Sequence, residues 1–122
     1  MLDRRQIEKR VKILQETRHV LHSLSKQRAP RGLEPREQLE LERYNKWLSK
    51  AGDELAKVCK MGEQLLKQKQ ETEKFQEMNM AFSLQYLQLQ QDMQQENRQF
   101  TLVSNIMKVK HDTAKAAINN VR

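Results

Sequence analysis

The sequence predicts an all-α protein, a helical hairpin with a long, heptad-patterned, coiled-coil-like C-terminal helix. Three observations predict it. The first is a seam of alternating four- and three-residue steps: Phe82, Tyr86, Leu89, Met93, Glu96, Phe100, Val103, Met107, Lys110, Ala114, Ala117 and Val121, ten of these twelve being apolar or aromatic. A repeat of 3.5 residues keeps one helix face turned towards a neighbour. The second is that strong punctuation occurs once, in RAPRGLEPRE at residues 28–37. The third is composition: 122 residues with 37% hydrophobic and 32% charged, three Gly and two Pro, a balance of long helices rather than of a compact mixed fold.

The first element is a basic N-terminal helix within residues 1–28, with Asp3 as its N-cap. Ile7, Val11, Leu14, Leu21 and Leu24 form its apolar stripe, with Ile13 and Val20 alongside and Arg18 interrupting it. Residues 29–36 are the turn. Pro30 and Pro35 each lack a backbone donor and push Ala29 and Glu34 towards extended angles. Gly32 frees the turn between them, and Pro35 suits the first turn of the next helix.

Residues 37–122 are expected to be one long helix, open to kinks. The seam continues through Leu41, Tyr44, Leu48, Ala51, Leu55, Val58, Gly62 and Leu65. Gly52 followed by Asp53 offers a break, and Gly62 lets another backbone approach. From Thr72 to Phe75, Met78 and Phe82 two three-residue steps precede a four, which makes residues 67–76 a hinge or exposed stalk. Beside the seam lies a second apolar set: Met80, Leu84, Leu87, Leu102, Ile106, Val109 and Ile118. Such a face is wider than a two-stranded coil needs, so segment 78–122 is read as the assembly-driving part.

Charge is unevenly placed within the net +7. Residues 1–36 carry ten Lys/Arg against four acids, 37–78 eight against nine, and 79–122 five against three. A basic N-terminal part raises nucleic acid as a partner. It has no aromatic residue to stack a base, so nucleic acid is disfavoured. The N-terminus lacks the apolar core of a Sec signal peptide, and no apolar run approaches the ~20 residues of a membrane span. Synthesis in the cytoplasm is therefore expected, with any export by a route that needs no cleavable signal.

No constellation calls for catalysis, a cofactor or a metal, and an enzyme is not expected. His19 and His22 have a ligand-like spacing but only Glu16 near them, so they read as solvated. His111 beside Asp112 lacks a nucleophile. Cys59 lies near Lys57 and Lys60, which could lower its pKa, yet it fits better as a small apolar residue beside the seam. Glu96 and Lys110 place charges in the seam, where paired charges can set register.

The closing stretch SNIMKVKHDTAKAAINNVR, Ser104–Arg122, resembles the C-terminal end of type III secretion needle subunits, S-N-x-x-K-V-x-x-D-x-x-x-A-x-I-x-N-x-R. Ser104, Asn105, Lys108, Val109, Asp112, Ala116, Ile118, Asn120 and Arg122 match without a gap. The likeness covers about a sixth of the chain. It implies a small helical hairpin whose C-terminal helix packs into a tube. Lys108, Asp112, Asn120 and Arg122 would then be inter-subunit or lumen-facing polar positions, with Val109 and Ile118 packing. Together with the seam, the expected interface is Phe82, Tyr86, Leu89, Met93, Phe100, Val103, Met107, Lys108, Val109, Asp112, Ile118, Asn120 and Arg122. The expected function is a non-enzymatic subunit that self-assembles through its C-terminal helix, as a needle- or filament-like component of such an apparatus. The alternative is a cytosolic coiled-coil chaperone or adaptor with a helical partner protein.

Overall fold

The computed structural model describes residues 1–108 and 112–121, the side chains of 97–99 excepted. The described residues form four α-helices and no strand: α1 (Arg4–Ser25), α2 (Pro35–Lys67), α3 (Glu73–Met107) and α4 (Asp112–Asn119). The protein is all-α.

α1 begins where the sequence places its cap. The Gln6 amide donates to Asp3 Oδ1 at 2.8 Å, and the Asp3 amide donates to Gln6 Oε1 at 3.0 Å. This reciprocal pair satisfies two donors that helix geometry orphans. The stripe is not broken at Arg18. Thr17 takes the inward place and is 1% exposed. Its hydroxyl donates to Ile13 O at 2.7 Å and lies within hydrogen-bonding reach of Ala117 O at 3.2 Å.

Gly32 turns the chain with φ +79°, an angle that costs glycine nothing. α2 then starts with Pro35 in its first turn, and Glu37 Oε1 accepts the Glu34 amide at 3.1 Å. The helix runs unbroken through Gly52 and Gly62. Both glycines sit where intrahelical bonds continue around them, so neither acts as a cap.

The single helix expected over 37–122 is instead three. α2 ends at Lys67, and α3 begins behind Thr72, whose Oγ1 accepts the Phe75 amide at 3.2 Å. Continued as one rod, the helix would leave its long seam in water. Turning back at 68–72 lets α3 bury that seam against α2. α3 closes on Lys108, which is left-handed at φ 56° and ψ 39°.

α1 and α3 run parallel, with α2 antiparallel to both. At one end the Arg4 guanidinium donates to Gln68 O and lies 5.0 Å from the Phe75 ring centroid. Asn79 Nδ2 donates to Leu2 O at 2.7 Å. Further along, Arg10 lies over the Tyr86 ring at 4.5 Å. Near the other end Tyr44 of α2 meets Phe100 of α3, ring centroids 5.9 Å apart. There α4 turns back and packs on both α1 and α3, with Ala114, Ile118 and Val121 buried. The result is a three-helix bundle with a short fourth helix seated between α1 and α3 over part of its length.

Candidate assembly surface

The seam residues proposed for contacts between subunits form the core of a single chain. Phe82, Tyr86, Met93 and Phe100 are fully buried, and Leu89, Val103 and Ile118 are at most 2% exposed. Met107 is half-buried beside Leu24, Leu41 and Tyr44. As an external interface this group is corrected: each residue is already buried or half-buried within the single chain. Lys108, Asp112 and Asn120 are exposed, and Val109 and Arg122 lie outside the described residues. Lys110 and His111 lie outside them too. Of the needle-like motif, Ser104 and Ile118 face inward, and the Ser104 hydroxyl donates to Phe100 O at 2.7 Å.

The width of the apolar face resolves into an inner and an outer stripe. The inner one is the core. The outer one is left bare on α3: Met80, Leu84 and Leu87 are 58%, 61% and 50% exposed, and Leu102 continues the line. Sequence reasoning identified this second set but drew the interface mainly from the first, taking only Val109 and Ile118 from the second. A signal for the outer stripe exists in the sequence. Residues 78–91, MNMAFSLQYLQLQQ, contain no charged side chain, the longest such run in a chain that is 32% charged.

The basic N-terminal helix spends two of its cations internally. Arg4 and Arg10 lie over the Phe75 and Tyr86 rings, an attraction of charge to π-face that anchors α1 to α3. His19 and His22 line an open groove of about 720 Å3 between α1 and α2, with Arg18, Ser49 and Asp53. No cluster of three metal-ligating side chains occurs among the described residues.

Cys59 is buried, and its thiol donates to Glu63 Oε1 at 3.1 Å. Burial and the Glu63 carboxylate push the thiol up to about 11, so it is protonated at neutral pH. The flanking lysines do not activate it. Glu63 in turn is held below the usual carboxylate range, chiefly by that thiol hydrogen bond.

Between α2 and α3, Glu54 shares a shallow site with Asp92 and Glu96. Partial burial first, then the Asp92 carboxylate, raises the Glu54 pKa, with Lys50 opposing. A raised value means that the folded chain holds this proton more tightly than the unfolded one. The resulting penalty is complete above the folded-state pKa and disappears as pH falls through it. Glu54→Gln is therefore expected to raise the melting temperature at pH 7 and to leave it unchanged below about pH 4. Parallel thermal melts at the two pH values measure this, and a gain confined to pH 4 contradicts it.

No described helix is long and apolar enough to cross a membrane. No family model matches the chain, and no curated protein or solved structure is detectably similar to it.

Proposed function

We propose that the chain is a non-enzymatic helical subunit that assembles with copies of itself, a needle- or filament-like component of a type III secretion apparatus. The tail resemblance over Ser104–Arg122 supports the apparatus, and the seating of α4 supports the mechanism. The observation that carries the reading is that α4 is a short helix seated on both α1 and α3. Eight residues long, it is anchored by Ala114, Ile118 and Val121 and by the Thr17–Ala117 contact. A helix of that length does not persist alone in water, so it must be seated on something.

The gap between α1 and α3 is identical in every copy. A tail withdrawn from its own bundle finds the same apolar contacts and the same Thr17 hydroxyl in a neighbour. Exchange therefore costs association entropy but little contact energy. Because the contact is head-to-tail, it can pass from copy to copy, and it builds an open filament where the rotation between copies does not close a ring. Such assembly is compatible with export of an unassembled monomer and growth elsewhere.

The test is removal of residues 112–122. The parent is expected to form large species as concentration rises, read by light scattering. The truncated chain should stay small while circular dichroism retains the helices α1–α3. Equal assembly of the truncated chain would remove the tail from the mechanism. A parent that stays small but captures one helical protein would favour the adaptor reading.

A further inference from the structure

We propose that the bare outer face of α3 is a two-fold contact with a second copy of this chain, α3 against α3 in antiparallel. This pairwise contact is separate from exchange of α4, so either can fail without the other.

The face holds Met80, Ala81, Leu84 and Leu87, bordered by Gln85, Gln88 and Gln91, all exposed. An uncovered apolar helix stripe is costly in water, and what covers it must suit its border. Here the border is amide, not charge. A glutamine carries both a donor and an acceptor, so it can bond to its own copy across a two-fold axis. Two identical charges there would repel. Each chain carries +7, and residues 78–91 form the one long segment where two copies can touch without opposing like charges.

The same border disfavours a lipid surface. Helices that lie on anionic membranes flank their apolar stripe with Lys and Arg. This stripe is flanked by glutamines and bounded in sequence by the acids Glu77 and Asp92.

Direction follows from the ends. In parallel register the exposed Glu73 and Glu77, which fall on or beside the same line as Met80 and Leu84, would each stand beside its own copy. Antiparallel pairing centred near Leu84 and Leu87 instead sets Glu77 level with the exposed Gln94 of the second copy, twice. It also sets the helix dipoles head to tail. The contact is smaller than the ~800 Å2 per partner of a standard interface, so a weak, concentration-dependent dimer is expected.

The experiment uses sedimentation equilibrium on the full chain and on Leu84→Lys, an exposed position whose change leaves the helical spectrum intact. The parent is expected to dimerise and Leu84→Lys to dimerise at least tenfold more weakly. In oxidising buffer Leu84→Cys should form a disulfide-linked dimer. Leu102→Cys should not, because antiparallel pairing holds its two copies roughly 50 Å apart along the axis. The parent is the control, since its one thiol is buried. Equal dimerisation of Leu84→Lys overturns the proposal, as does efficient cross-linking through Leu102→Cys, which signals parallel pairing. A parent that is monomeric yet pelleted by anionic vesicles, with Leu84→Lys left in solution, assigns the face to lipid instead. None of these results bears on the large species that require α4.

Discussion

Gly62→Ala is expected to lower the melting temperature, whereas Gly52→Ala, the same change in the same helix, is expected to raise it. Replacing a mid-helix glycine by alanine alone gains about 1 kcal/mol of helix stability. At Gly52 nothing lies within 4 Å of the added methyl, so that gain is kept. At Gly62 the added Cβ would stand 2.5 Å from Val11 Cγ2 and 2.9 Å from Phe82 Cε2. Neither neighbour yields easily. Valine is stiff about χ1, and Phe82 is fully buried. Overpacking of this kind costs about 1–3 kcal/mol, enough to cancel the propensity gain and exceed it.

A larger side chain should be worse, and Gly62→Leu should separate α1 from the α2–α3 pair. The decisive comparison is Gly62→Ala with Val11→Ala. Val11→Ala alone removes buried methyls and destabilises, but in the Gly62→Ala background it also removes the closer of the two clashes, leaving that with Phe82. The double variant should therefore be more stable than the sum of the two single losses, read from thermal melts as a mutant cycle. If Gly62→Ala stabilises as much as Gly52→Ala does, α1 does not seat in this notch.

Ile118→Asp has the second large effect, and the structure changes where it should be seen. From the sequence alone, an aspartate there is expected to block assembly and leave the monomer barely affected. Yet Ile118 is 1% exposed within the single chain, on a helix packed against α1 and α3. Burying an unpaired carboxylate costs several kcal/mol. With Ile118 already replaced, releasing α4 forfeits only the burial of Val121 and Ala114, roughly 2–4 kcal/mol at ordinary values per side chain. Detachment is thus the cheaper response.

The monomer should lose the helicity of about one short helix, become sensitive to protease between α3 and α4, and fail to build large species. Met107→Asp should be milder, because Met107 is only half-buried. If Ile118→Asp keeps its protease resistance and its assembly, the tail is not held by packing. Lys110→Glu would then be the informative variant, since charge would remain as the means of holding.

The helical character of the chain and the inward face of α3 were legible because spacing fixes which side chains share a line. The division of 37–122 into three helices was not. Phe82, Tyr86, Leu89, Met93, Phe100 and Val103 fall on one face whatever that face packs against. Asp3, Gly32 and Pro35 mark ends and a turn by backbone rules that need no neighbour. What covers the face was not legible. Burial of apolar area is non-directional, so the seam predicts contact without saying whether the neighbour is another copy or the same chain turned back at 68–72.

Three details depended on tertiary contact alone. A 3.5-residue repeat permits either residue 17 or 18 as the inward position, and the carbonyl of Ala117 brought near by α4 makes it Thr17. A seam glycine reads equally as a bend or a close approach, and the positions of Val11 and Phe82 make Gly62 a notch in a straight helix. Of the two apolar stripes, the one with Phe82 and Tyr86 turns inward, and the stripe with Met80, Leu84 and Leu87 stays bare. Sequence alone determined that two stripes exist. Only the packing of α1, α2 and α4 decided between them, because neighbours can cover one face of a helix while the opposite face stays exposed.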